Sequence, residues 1–213
     1  MHVPDGLVAP PVYLTAAAVA LPAWALAVRS VAQTLDEQHI PRMAVITALA
    51  FVLSSIMIPL PGGAAAHFTG IGLLVLLFGL GPAFLAVSAV LLLQALLLGT
   101  GGITTLPLSA LALGLAGGGV VAAGHRLFGA RRSPLAVVVP VAAGIVVAAL
   151  LLALVLGMQP HFGVDATGQP LYFPFGPAVT VPALVLPHVV LGVAEGILTW
   201  FALALYPDRV RAA

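Results

Sequence analysis

Gly79-Leu80-Gly81-Pro82 decides how this chain is folded, because it interrupts an apolar run that extends from Gly63 to Leu98. An uninterrupted run would form one long helix. Glycine and proline together predict a break, since proline removes a backbone donor and clashes with the preceding turn. The run then becomes two segments, Gly63–Leu80 and Pro82–Leu98. Reading outward, further apolar segments cover Pro11–Val28, Met43–Leu60, Ile103–Gly124, Pro134–Gly157 and Val179–Tyr206. Each approaches the ~20 residues needed to cross a hydrocarbon core. The chain has 213 residues, of which 62% are hydrophobic and 6% charged. With a mean hydropathy of +1.22, these values exclude an ordinary soluble domain.

The distribution of arginine supports the break. Lysine is absent, and the seven Arg fall in three stretches, Arg29–Arg42, His125–Arg132 and Asp208–Arg211. With seven spans all three lie on one side of the membrane. With six, the Arg126, Arg131 and Arg132 stretch moves opposite Arg29 and Arg42. Basic residues are retained on the cytoplasmic side, so the expectation is an all-α polytopic bundle of about seven transmembrane helices. Its N-terminus is outside and its C-terminus cytoplasmic. Residues 1–213 are expected to form a single transmembrane metal-binding domain. No basic n-region precedes the first span, which therefore reads as a retained helix and not as a cleaved leader. Met1-His2, the Pro59–His67 turn, the Gly99–Thr105 turn and the Met158–Pro177 loop then share the outer side.

The chain opens with Met1-His2-Val3-Pro4-Asp5-Gly6. Initiator methionine is normally kept before a side chain as large as imidazole, which leaves a free α-amine beside His2. The amine and the His2 backbone nitrogen close a five-membered ring on a metal. The same backbone nitrogen and His2 Nδ1 close a six-membered ring. Three coplanar nitrogens suit a tetragonal ion such as Ni(II) or Cu(II), and one further ligand completes the square. Cysteine is absent, so no thiolate competes. Pro4, Pro10 and Pro11 stiffen the segment, and Asp5 is placed to orient His2 as an acceptor.

Five other histidines could supply the fourth ligand. His67 follows Gly62-Gly63-Ala64-Ala65-Ala66, a glycine- and alanine-rich stretch suited to irregular backbone lining a cavity. It reads either as a ligand or as a hydrogen-bonded interface histidine. His39 and His125 stand beside Arg42 and Arg126 and read as solvated. His161, near Asp165, reads as a loop histidine, with guidance of metal as the alternative. His188 and Glu195 lie seven residues apart on one face of the last span. Ionisable residues inside a span are functional candidates; a buried pair tying helices together is the other reading, and His188 is expected to lie deeper than His67. Pro182 and Pro187 can kink that helix. Small residues at Ala16 and Ala20, Ala23 and Ala27, Gly72 and Gly79, and Gly114 with Gly117-Gly118-Gly119 mark close helix contacts. No Gly-x-x-x-x-Gly-Lys-Ser/Thr motif is present, so energy for any pumping must come from another chain or an ion gradient.

Four stretches resemble the CbiM/NikM family, the substrate-binding membrane components of energy-coupling factor transporters for cobalt and nickel. They are Met1–Gly6, Gly62–Gly70, Gln94–Leu97 with Gly101-Gly102-Ile103-Thr104, and Pro187-His188 through Glu195–Thr199. The resemblance implies a seven-helix bundle with its N-terminus folded back into it. It implies metal held by the terminal amine of Met1, the backbone nitrogen and imidazole of His2, and His67. It implies no permanent cofactor, with Ni(II) or Co(II) as transported substrate. It places the protein in the cytoplasmic (inner) membrane among lipid. The implied partners are a transmembrane coupling subunit, cytoplasmic ATPase subunits and a small accessory membrane subunit, separate here because the sequence stops at Ala213. No nucleic acid is expected. Ser54-Ser55-Ile56-Met57-Ile58-Pro59 and Leu106-Pro107-Leu108-Ser109-Ala110 depart from the family by lacking its Gln and Asn, which bears on affinity and metal choice. Two competing readings are an intramembrane metalloenzyme built on His67, His188 and Glu195, and a structural or assembly subunit whose metal site has decayed.

Overall fold

The computed structural model describes residues 2–34, 36–59, 65–128 and 133–205. The Gly62-Gly63 turn, Arg131, Arg132, the Asp208–Arg211 stretch and Met1 lie outside the described residues. Seven helices follow in order: α1 (Pro10–Thr34), α2 (His39–Ser54), α3 (Ile71–Phe78), α4 (Leu80–Leu98), α5 (Leu106–Phe128), α6 (Pro134–Gly157) and α7 (Pro177–Leu205). Two short strands, β1 (Ile58–Pro59) and β2 (Ala65–Ala66), pair antiparallel between α2 and α3. Among the described residues the bundle is otherwise helical, with one isolated antiparallel bridge between Val164 and Pro170 in the α6–α7 loop.

Five of the helices are long and apolar enough to cross a membrane. The expectation of seven segments near twenty residues is corrected at two places. α2 has 16 residues, and α3 has only 8. The apolar run from Gly63 continues to α3 in hydropathy but not in backbone. Gly70, at φ +72, starts the helix, and the residues before it form β2 and a loop. The predicted break is present. Gly79 has φ +85, conformational territory that an L side chain adopts at a cost. Its N–H closes α3 by bonding the Val75 carbonyl at 2.9 Å, and α4 begins at Leu80.

Small residues bring the helices together, as expected where lipid gives no hydrophobic drive to helix association. Ala16, Ala20 and Ala27 are the buried face of α1, while Leu14, Val19, Leu21 and Leu26 project outward. Trp24 Nε1 donates to Ser88 Oγ on α4 at 2.8 Å. α6 and α7 approach closely. A Cβ added at Gly196 would stand 2.8 Å from the Val138 Cα, and one at Gly192 3.0 Å from the Ala142 Cα. Gly144 and Gly117 approach α5 and α6 in the same way. Gly72 packs on Val141, whereas a Cβ added at Gly79, the expected partner in its small face, would meet open space, and that glycine serves the break instead.

One end of the bundle collects four segments. Residues 2–9 fold inward there, with Val3, Val8 and Ala9 buried. The Ala9 N–H donates to Gln159 Oε1 at 2.8 Å, just past the end of α6. The Phe173 N–H donates to the Leu7 carbonyl at 3.1 Å, in the α6–α7 loop. Thr105, after the 99–101 turn, donates its hydroxyl to the Val3 carbonyl. The hairpin of β1 and β2 completes the group, since it delivers His67 against His2.

Candidate metal centre

Asp5 fixes the incoming segment. Its carboxylate accepts the Ile103 N–H at 3.0 Å, the Thr104 N–H at 2.9 Å and the Thr104 hydroxyl. Burial is the largest single influence and raises its pKa, but the hydrogen bonds together outweigh it and hold the carboxyl below its usual range. The suggested contact from Asp5 to His2 is therefore corrected: two loop amides and a hydroxyl hold the carboxylate, because donors in a tight turn satisfy an anion better than one imidazole does. Gly102 is obligatory at this place, since an added Cβ would fall 2.5 Å from the Asp5 backbone nitrogen. Gly101, at φ +82, faces the His2 ring, and a Cβ added there would stand 3.2 Å from Nδ1.

His2 and His67 meet in the interior. Their ring centroids are 4.6 Å apart with 21° between the planes, and 9% and 3% of their surfaces remain exposed. Metal–nitrogen bonds of about 2.0–2.1 Å from each ring let one ion reach both at that separation. His67 Nδ1–H donates to the Phe68 carbonyl at 2.8 Å. That bond sets the tautomer and directs the basic lone pair to Nε2, the arrangement typical of a metal-binding imidazole. His2 Nε2 is buried without a hydrogen-bond partner. Burial holds the His2 pKa down to about 3, and holds His67 well below its ordinary value, with repulsion from His2 and His188 among the lesser causes. Both rings are thus neutral at pH 7 and offer lone pairs. Met1, the third expected contributor, lies outside the described residues. Among the described residues no cluster of three or more His, Asp or Glu gathers as a metal site.

The loop that carries His67 is anchored on α7. Glu195, 4% exposed, accepts the Thr69 N–H at Oε2 (2.6 Å) and the Thr69 hydroxyl at Oε1 (2.7 Å). Thr69 Oγ1 in turn accepts the Ile71 N–H at 3.2 Å, at the start of α3. Glu195 therefore positions the loop. It does not pair with His188, whose Nδ1–H donates to its own helix at the Leu184 carbonyl (2.6 Å). The loop reaches Glu195, which is two turns farther along α7 from Pro177 than His188 is. His39 bonds Asp36 at 2.7 Å, and His161 stands exposed at the end of α6, where Asp165 spends its carboxylate on Thr167 and Gln169. His125 lies half-buried in α5, remote in sequence from the His2 contacts.

The described site can be compared with known proteins. A family model described as "Cobalt uptake substrate-specific transmembrane region", CbiM, matches residues 2–211. The chain belongs to the CbiM family. The fused nickel transport protein NikMN of Rhodobacter capsulatus is 38% identical over 206 residues, covering 93% of this chain and 59% of the relative. The cobalt transport protein CbiM of Chlorobium limicola is 35% identical over 205 residues, covering 93% of this chain and 78% of the relative. The chain spans 59% of the length of NikMN and of a second fused relative, the probable nickel transport protein LarMN of Lactiplantibacillus plantarum. A crystal structure of a truncated transition metal transporter superposes with a TM-score of 0.90 at 32% identity, covering 96% of this chain and 97% of that one.

Gln94 and Thr69 fall in stretches that carry the family resemblance, but the sequence assigned them no role, and Gln159 was not singled out at all. Gln94 is wholly buried and donates from Nε2 to Ser54 Oγ at 2.8 Å, tying α4 to the end of α2. Its helix turns into a π segment at that residue, a local irregularity frequent at functional sites. A lone Gln inside an otherwise apolar span was the available signal.

Proposed function

We propose that this chain is the substrate-capture membrane component of an importer of nickel or cobalt, of the energy-coupling factor ABC type. The observation that carries the proposal is the buried, neutral His2–His67 pair, reached by a strapped N-terminal segment. In this reading the metal is bound by the Met1 amine, the His2 backbone nitrogen and imidazole, and His67. Residues 1–213 act as one transmembrane metal-binding unit, with the N-terminus outside and the C-terminus in the cytoplasm of a cell with this protein in its inner membrane. The protein is a transport component and not an enzyme. ATP hydrolysis belongs to cytoplasmic partner subunits, working through a transmembrane coupling subunit and a small accessory membrane subunit.

The chemistry follows from the ligands. A hydrated divalent ion exchanges water for nitrogen donors, the amide and amine lose protons, and affinity therefore rises with pH. Square-planar nitrogen coordination favours Ni(II), while Zn(II) prefers a tetrahedron. The names of NikMN and CbiM support nickel and cobalt as the two candidate substrates. The metalloenzyme reading loses its acid–base group, because both oxygens of Glu195 are engaged by Thr69.

The test is a calorimetric titration of Ni(II) and Co(II) into the purified chain, tagged only at the C-terminus so that Met1 stays free. One-to-one binding is expected for the unaltered chain and absent in His67→Ala and in a form with one residue added before Met1. Undiminished binding in either variant would refute the ligand set.

A further inference from the structure

His188 has no task in the proposed resting site, yet its placement is that of a metal ligand. The side chain is 0% exposed. Its Nδ1–H is committed to the Leu184 carbonyl, as the Nδ1–H of His67 is committed to that of Phe68. Both rings are thereby fixed in the same tautomer with Nε2 as the basic nitrogen. His188 Nε2 is buried and has no hydrogen-bond partner. A buried polar atom left without a partner is costly and calls for an explanation.

Its direction follows from α7. Seven residues separate His188 from Glu195, so the two side chains leave the helix on nearly the same bearing, about 10.5 Å apart along the axis. Glu195 points at Thr69. The chain from Thr69 back to Ala66 is three residues, which span about 10 Å when extended. β2, which ends at Ala66, packs on α7. The His67 loop thus lies along the face of α7 from which His188 projects. Among the described residues His2, His67 and His188 do not form a three-histidine cluster. His188 is therefore adjacent to the resting pair and not a member of it.

We propose that His188 is the transfer ligand for release: the ion leaves the N-terminal chelate by forming a bond to His188 Nε2 while His67 still holds it. This rests on the metal-capture reading above. Square-planar complexes exchange ligands by attack of an incoming donor, so departure from a chelate requires such a donor at hand. One metal–nitrogen bond forms at His188 as the bond to the His2 ring breaks. The bonds to the His2 amide nitrogen and the Met1 amine break next, water enters their two positions, both nitrogens take back a proton from water, and the oxidation state of the metal does not change. Because the fold supplies the incoming donor from α7, movement of α7 against residues 2–9 is sufficient to drive the exchange.

The experiment compares His188→Leu, which keeps the volume and removes the donor, with His188→Cys, which supplies a different donor. Each is read in two ways: Ni(II) affinity of the purified full chain, and nickel uptake by the host cells carrying the altered chromosomal copy. The expected result is affinity within about twofold of the unaltered chain for both variants. Uptake should fall at least tenfold in His188→Leu and be at least partly retained in His188→Cys. Normal uptake by His188→Leu would overturn the transfer step. So would a loss of affinity in His188→Leu as large as in His67→Ala, which would make His188 a resting ligand. Equal loss of uptake in both variants would overturn it as well, by assigning His188 to packing. Absence of metal binding by the unaltered chain would instead overturn the capture reading itself, and the transfer step with it.

Discussion

Thr69→Val should weaken metal binding without removing any metal ligand. Valine keeps the shape of the side chain and deletes the hydroxyl, a change that is not neutral where the hydroxyl is bonded. Two contacts are lost. The hydroxyl no longer donates to Glu195 Oε1, now 2.7 Å away, and no longer accepts the Ile71 N–H at 3.2 Å. A neutral hydrogen bond contributes about 1 kcal/mol, and one to a carboxyl group somewhat more when its loss leaves a buried oxygen unsatisfied. The cost to the loop is therefore on the order of 2–4 kcal/mol. His67 is two residues away on that loop, and 1.4 kcal/mol corresponds to tenfold in affinity. If about half of the cost falls on the metal-bound arrangement, Kd for Ni(II) rises roughly five- to thirtyfold. Calorimetric titration of the purified chain reads this directly, with thermal unfolding as a check on the fold. Thr69→Ser keeps the hydroxyl and should bind within a few-fold of the original. A Thr69→Val protein that is folded and binds as tightly as the unaltered chain would refute the claim that Glu195 positions His67 through Thr69.

Three other substitutions test the supports around the site. Gly102→Ala inserts a Cβ 2.5 Å from the Asp5 backbone nitrogen, so residues 2–9 should lose their seat, with faster amide hydrogen exchange there and a loss of Ni(II) affinity of at least tenfold; unchanged exchange would contradict the packing. The Asp5 carboxyl is held below its usual value of about 3.9, so it stabilises the folded segment above that value and the contribution is lost as pH falls through the depressed one. Exchange of residues 2–9 in the metal-free chain should therefore accelerate on acidification below about pH 4, and Asp5→Asn should remove that step; an identical profile in the variant would exclude Asp5 as its source. Gly196→Leu forces α6 and α7 apart at Val138 and should lower stability by about 1–3 kcal/mol or more, read as a fall in the thermal midpoint in detergent, with Gly196→Ala less affected; equal midpoints for all three proteins would disprove the close contact.

The bundle was legible where chemistry is local. Gly79 through Pro82 carries its break in its own backbone preferences, and the hydropathy of α4 through α7 needs no partner to be read. The short α3 was not legible, because hydropathy continues unbroken from Gly63 while the backbone becomes helical only after Gly70. His2 and His67 could be singled out by type and surroundings, but their meeting depends on long-range anchors. Asp5 finds its partners 98 and 99 residues away, and Thr69 finds Glu195 across 126. No periodicity encodes such pairs. Glu195 was recognised as unusual because a carboxylate in a span must be satisfied by something; which group satisfies it is a property of the fold. Gly192 and Gly196 were passed over for a related reason, since small residues are common in every span and only the approach of Ala142 and Val138 distinguishes these two.

The eight-residue length of α3 sets how far an ion still has to travel. At 1.5 Å per residue the helix is about 12 Å long, against a hydrocarbon thickness of about 30 Å. Gly70 at its start adjoins the His67 loop, and Gly79 at its end is where the chain turns back. Under the proposed capture reading, an ion held at His67 would have a helix of about 12 Å beside it instead of a full span. A subunit that drives release would then need a correspondingly short stroke.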